Sequence, residues 1–148
     1  MRVIQCPAEA APLIGERTVF LAGGISNCPN WQAQILELLR DTDWLVLNPR
    51  REDFDLSDSQ MAEAQIEWEY RHLALSDAIA FWFPPQTLCP ITLYELGKWS
   101  MTDKPLLIGV DPLYARRFDV VVQTRLARPD VTVTDHLEGL AAQLKGAL

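Results

Sequence analysis

Short runs of consecutive apolar residues alternate along the chain with stretches in which apolar positions recur every three or four residues. The runs TVFLAGG (18–24), WLVLNP (44–49), DAIAFWF (77–83) and PLLIGV (105–110) read as strands. Between them, WQAQILELLR (31–40), MAEAQIEWEYRHLAL (61–75) and ITLYELGKWSM (91–101) carry helical spacing. The rest predicts a helix over 115–127, a strand at VTVT (131–134) and an amphipathic helix from Asp135 to Lys145.

Strands that are apolar throughout, such as AIAFWF and LLIGV, indicate burial on both faces, as in a parallel sheet covered by helices. The expected fold is an α/β three-layer sandwich with a five-stranded, mainly parallel sheet of flavodoxin/Rossmann-like order, in a single domain over 1–148. In that order the ligand crevice lies beyond the strand C-termini near strands one and three. The loops after Leu21 and after Phe83 are therefore expected to hold the chemistry. RVIQ suits a short added edge strand, the following PAEAAPLIGE reads as irregular, and NPRREDFDLSDSQ (48–60) is the longest irregular stretch, either functional or flexible.

Composition narrows the function classes. The 148 residues are 49% apolar and 22% charged, ordinary for one core, and the net charge of −7 with scattered basic residues gives no footprint for nucleic acid or acidic membrane. Cys6, Cys28 and Cys89 are odd in number and far apart, fitting neither a disulfide framework nor a CxxC metal site. No segment approaches the roughly 18 apolar residues of a membrane span, so a soluble, cytoplasmic protein in a reducing compartment is expected. His72 and His136 are isolated and read as surface or capping residues rather than ligands.

Two carboxylates interrupt apolar patterns. Ala62, Ile66, Glu69 and Leu73 form one helical stripe, so Glu69 breaks an apolar face; it takes a nearby arginine, stays wet at the stripe edge, or gains a proton as burial raises its pKa. Glu95 lies between Ile91 and Trp99 at four-residue spacing and is expected to face the crevice, ionised with help from the helix macrodipole, unless it merely stabilises the first turn. Two carboxylates on one crevice are what glycosidic cleavage needs: one attacks or stabilises the anomeric carbon and the other protonates the leaving group.

Weaker candidates surround these. Ala22-Gly23-Gly24 permits close backbone approach to a ligand or forms a plain turn, with Ile25 and Ser26 following in the same loop. Asn48 closes the second strand, and Arg50 and Arg51 after it either meet a phosphate or carboxylate or form a solvated pair. Asp53, Asp55 and Asp58 resemble a cation loop only loosely, lacking the Gly and closing Glu of an EF-hand, and no metal is expected. Of Trp68, Trp82, Phe83 and Trp99, some belong to the core and one or two could stack on a nucleobase.

FLAGGIS (20–26), WE (68–69), SDAIAFWFP (76–84), ITLYELG (91–97) and KP (104–105) together resemble the nucleoside 2-deoxyribosyltransferases and their smaller relatives, over roughly residues 18 to 111. The resemblance implies N-glycosidic cleavage or transfer on (deoxy)nucleosides, no metal, no dissociable cofactor, and homo-oligomers in which neighbours complete the site. It implies that Glu95, in Glu-Leu-Gly, is the nucleophile, and that Glu69, eight positions before Asp77, contacts and helps protonate the base. Asp77, opening its strand, is then a substrate-side or structural residue. Two positions depart from the family. Cys89 stands where a second base-binding Asp is expected, and Phe20 where a tyrosine orients the nucleophile. A nucleoside 5′-monophosphate N-glycosidase, with Arg50 or the Gly23–Asn27 loop on the phosphate, and a non-catalytic nucleotide-binding or sensing module remain as alternatives.

Overall fold

The computed structural model describes residues 1–51 and 58–147. Along them run β1 (Arg2–Gln5), β2 (Thr18–Gly23), α1 (Trp31–Leu39), β3 (Leu45–Asn48), α2 (Ser59–Leu75), β4 (Ala78–Phe83), α3 (Pro90–Trp99), β5 (Leu106–Val110), α4 (Arg117–Ala127), β6 (Val133–Thr134) and α5 (Leu137–Gly146). The strands form one sheet in the order β1-β3-β2-β4-β5-β6, parallel at every pairing. The expected α/β sandwich is thus present, with one strand more than the five expected. RVIQ supplies it, because β1 pairs with β3 in register from Arg2 opposite Leu45 to Gln5 opposite Asn48.

Alternation along each strand divides the apolar residues between two layers. Val19, Leu21, Val46, Ala80 and Trp82 point to the side covered by α1 and α5, where Trp31, Ile35, Leu140 and Leu144 meet them. Phe20, Ala22, Leu47, Phe81 and Ile108 point the other way, onto Trp68 and Leu73 of α2, Leu96 and Trp99 of α3 and Val120 of α4. Strands β3, β4 and β5 are buried along their whole length, which is why their sequences read as unbroken apolar runs.

The chain leaves β2 for β3 on one side and then returns over β2 to β4 on the other. Loops leaving β2 and β4 therefore diverge and open a crevice at the strand C-termini, where sequence reasoning located it. Helix starts are set locally. Asn30 caps α1 by accepting from the Ala33 N–H, and Asp58 caps α2 by accepting from Gln60 and Met61. Asp58 is thereby accounted for, while Asp53 and Asp55 of the suggested cation loop lie outside the described residues. Among the described residues, no helix is long and apolar enough to cross a membrane.

Candidate active site

A hollow of about 540 Å³ opens in this crevice, within the size range of small-molecule sites. Phe20, Ala22 and Gly23 of β2 line it, as do Gly24 to Ser26 of the following loop. From α2 come Ala62, Gln65, Ile66, Glu69, Tyr70 and Leu73; from α3 and the turn before it come Cys89, Ile91, Thr92, Tyr94, Glu95, Lys98 and Trp99. The stripe Ala62, Ile66, Glu69 and Leu73 thus faces the cavity, as its spacing requires, with Leu73 at its end also buried in the core. The residues of α2 buried against the sheet are Gln65, Trp68, His72 and Leu73.

The loop after β2 approaches its neighbours too closely for side chains. A Cβ on Gly23 would lie 2.5 Å from both Trp31 Cζ2 and the Trp82 carbonyl, and one on Gly24 would lie 2.8 Å from Thr87 Cγ2. The Gly24 carbonyl accepts from Trp31 Nε1 at 2.8 Å and Gln32 Nε2 at 3.3 Å, so α1 holds the loop from below. Opposite, α3 begins at Pro90, directly after Cys89 in the left-handed conformation (φ 47). A non-glycine residue held there stores roughly 1–3 kcal/mol of strain, which surrounding structure must overdetermine and which clusters at functional sites. Tyr114 contributes by donating from its hydroxyl to the Leu88 carbonyl at 2.8 Å.

Glu95 and Glu69 meet across this hollow. Burial, then the charge of Glu69, push the Glu95 carboxyl up to about 8, against the opposing pull of the Lys98 ammonium. Burial likewise raises Glu69, whose charged form is favoured by a hydrogen bond from Gln65 Nε2 at 2.7 Å. The surroundings of Glu95 therefore favour its protonated form at neutral pH, not the ionised form expected from the sequence. It is the sixth residue of α3, beyond the turn in which the macrodipole acts strongly, and desolvation beside a second carboxylate outweighs that dipole. A second carboxylate in the same apolar pocket raises the cost of ionising the first.

The other expected site residues divide. Gly23, Gly24, Ile25, Ser26 and Cys89 line the hollow with the two glutamates; Asn48, Arg50, Trp68, Asp77 and Trp82 are not among its lining residues. Asn48 Oδ1 accepts from the Arg50 backbone N–H, and Arg50 itself donates to Gln32 Oε1 and the carbonyls of Cys28 and Pro29, fastening the loop before α1. Arg51, not Arg50, reaches the cavity. Trp68 is buried with its Nε1 on the Ala8 carbonyl, and Trp82 packs on the opposite face of the sheet. Asp77 sits at the other end of β4 from the hollow, accepting from the Thr18 N–H at 2.7 Å and its hydroxyl at 2.8 Å. His72 is no surface residue. It is buried, stacked 3.9 Å from the Trp68 ring, with Nδ1 on the Trp68 carbonyl and Nε2 accepting from the Ala10 N–H.

Sequence reasoning missed Gln65, Tyr70, Tyr94 and Lys98. Tyr70 and Tyr94 are exposed rings adjacent in sequence to Glu69 and Glu95, and Lys98 follows Glu95 by three positions; helical adjacency to the two acids was the available signal. Among the described residues no group of three or more His, Cys, Asp or Glu is gathered to hold a metal ion.

The family model for nucleoside 2-deoxyribosyltransferase-like proteins matches residues 16–114, about two thirds of the chain. No curated protein matches it. The matched segment begins just before β2 and ends at Tyr114, so it contains Phe20, both glutamates, the glycine loop and the turn into α3. A chain matched over residues 16–114 in this way belongs to the nucleoside 2-deoxyribosyltransferase-like family.

Proposed function

We propose that this chain breaks or exchanges the N-glycosidic bond of (deoxy)nucleosides, with Glu95 as nucleophile and Glu69 as the acid that serves the departing base. The observation carrying this reading is that two carboxyls from different helices face one apolar hollow and are both raised by burial. Burial and the charge of Glu69 hold Glu95 toward its protonated form before a substrate binds. A base nitrogen that binds beside Glu69 as an acceptor favours the proton on Glu69, leaving Glu95 charged next to Lys98. A Glu95 oxygen then bonds to C1′ as the C1′–N bond breaks. The bond's electron pair goes to the base, which takes the Glu69 proton. Water or a second base next attacks C1′ and gives its proton to the Glu69 carboxylate, while the C1′–O bond of the ester breaks with its electron pair going to Glu95, which regenerates both acids. Tyr70, Tyr94 and Trp99 offer aromatic surface for a base at the cavity wall.

A second reading is favoured by Arg51 in the wall: hydrolysis of a nucleoside 5′-monophosphate, its phosphate held by that guanidinium and the Gly24–Ser26 backbone. Comparing turnover of deoxynucleosides with their 5′-monophosphates separates the two. The exposed rim of Ile66, Tyr70, Ile91 and Tyr94 suits a second copy of the chain covering the mouth, and three free cysteines suit a reducing cytoplasm. The deciding experiment is intact-mass analysis after incubation with 2′-fluoro-substituted nucleosides. A covalent adduct on the native protein and none on Glu95→Gln is expected; no adduct and no released base from any nucleoside or monophosphate, with tight ligand binding, would identify a binding module instead.

A further inference from the structure

Gln65 lies one helical turn before Glu69 on α2, is buried, and has both amide atoms engaged. Its Nε2 donates to the Pro49 carbonyl at 2.8 Å and to Glu69 Oε1 at 2.7 Å, while its Oε1 accepts from Cys6 Sγ at 3.0 Å. A backbone carbonyl can only accept, so Nε2 must face Pro49; turning the amide over would set oxygen against oxygen. The amide is therefore held from three places: the residue after β1, the residue after β3, and α2 itself. This gives the added edge strand a link to the cavity, since the Cys6 N–H also bonds the Asn48 carbonyl at 3.0 Å.

We propose that Gln65 is the positioning residue for Glu69, keeping Oε1 as a fixed acceptor and leaving Oε2 as the oxygen that carries the exchangeable proton. The proposal rests on the reading of Glu69 as the acid. A hydroxyl oxygen accepts poorly, so an N–H aimed at Oε1 sends the proton to Oε2. When the Oε2–H bond breaks and the proton passes to the base nitrogen, the electron pair stays on the carboxylate. The bond from Nε2 then strengthens because its acceptor has gained charge. Gln65 thus favours the state reached on proton transfer over the state that precedes it, the differential interaction that accelerates a step. It also removes one rotational freedom from Glu69, which has no ion-pair partner among the described contacts to orient it. The titratable or charged groups around Glu69 in the cavity are Glu95, Lys98 and Tyr94 on α3, Cys89 before it, Arg51 after β3, and Tyr70 on α2. All of them are retained when Gln65 alone is changed.

The test uses two variants and two readouts. Gln65→Met keeps the volume and removes the donor, whereas Gln65→Glu keeps the shape and donates only when protonated. The first readout is the Glu69 titration in ¹³C-glutamate-labelled protein, assigned with Glu69→Gln; the second is the pH profile of base release. In Gln65→Met the Glu69 midpoint should rise by about one pH unit, because its charged form loses a donor. In the same variant kcat should fall about tenfold or more, with KM changing less than about threefold. Gln65→Glu, which donates to Glu69 only while its own carboxyl is protonated, should lose activity as that carboxyl ionises, confining the active range to lower pH; the shifted Glu69 midpoint in Gln65→Met is the readout that a merely structural role would not move. An unmoved Glu69 midpoint in folded Gln65→Met, or a Gln65→Glu profile superimposed on that of the native protein, overturns the proposal. Where Gln65→Met does not fold, Gln65→Glu decides alone. If the native protein releases no base from any nucleoside, the catalytic reading fails while the Glu69 titration still decides the role of Gln65.

Discussion

The Lys98 ammonium lies 4.4 Å from the centroid of the Tyr70 ring, tying α3 to α2 across the cavity that holds Glu95 and Glu69. The same ammonium is 4.9 Å from the Trp99 ring, so two aromatic faces fix a positive charge three residues from Glu95. That charge is what opposes burial and Glu69 in setting the Glu95 proton affinity.

Replacing Lys98 by Met should therefore raise the Glu95 titration above its value of about 8. Because ionised Glu95 is the attacking form, the acid limb of the kcat/KM profile should move to higher pH by about one unit, and Lys98→Arg should restore most of it. An unchanged profile in Lys98→Met would remove the ammonium from the electrostatics of the reaction.

Glu95 also makes stability depend on pH. Its folded value of about 8 lies above the unfolded value near 4.5, so the native state binds more protons across that interval. The protonated form's contribution is fully present below about 4.5 and is lost as pH rises through about 8. Glu95→Gln, neutral throughout, should match the native protein at pH 4.5 and exceed it above pH 8 by on the order of 5 kcal/mol, a Tm difference of roughly 10–20 °C. Parallel Tm curves for the two proteins across this range would show that Glu95 is solvated.

Asp77 should matter to folding and not to substrate. Its carboxylate joins the starts of β2 and β4 through the Thr18 N–H and hydroxyl. Asp77→Ala should cost about 1–3 kcal/mol by leaving buried donors unpaired, while the KM of the folded fraction stays within about twofold of the native value. A large KM change with unaltered Tm would return Asp77 to the substrate.

Two glycines should respond in opposite directions. Gly23→Ala forces a Cβ to 2.5 Å from Trp31 Cζ2 and the Trp82 backbone and should destabilise by about 2 kcal/mol or more. Gly97, inside α3, has nothing within 4 Å of an added Cβ, so Gly97→Ala should stabilise by about 0.5–1 kcal/mol through helix propensity. Urea denaturation of both variants measures each effect.

Much of the fold was legible because burial on both faces of a parallel sheet leaves a one-dimensional mark: AIAFWF and LLIGV carry no polar face because neither face meets water. The two glutamates were legible for the converse reason, as charges interrupting an apolar spacing. The place of Trp82 was not legible because a ring beside the right loop looks the same on either face of a strand, and only strand pairing decides which layer it enters. Arg50 and Arg51 posed the same difficulty, since adjacent side chains leave a loop in different directions.

The sequence alone determined the alternation of strands and helices, the end of the sheet where the crevice opens, and the two acids that line it, all of which follow from local periodicity and short-range spacing. Tertiary structure decided the protonation of Glu95 and the bracing of Glu69 by Gln65. Both arise from groups far apart in the chain: the Glu95 pKa depends on a carboxylate 26 residues earlier and on exclusion of water by two helices, and Gln65 depends on Cys6 and Pro49, 59 and 16 residues away. Electrostatic energies depend on distance through space and on local solvation, neither of which is written in sequence order.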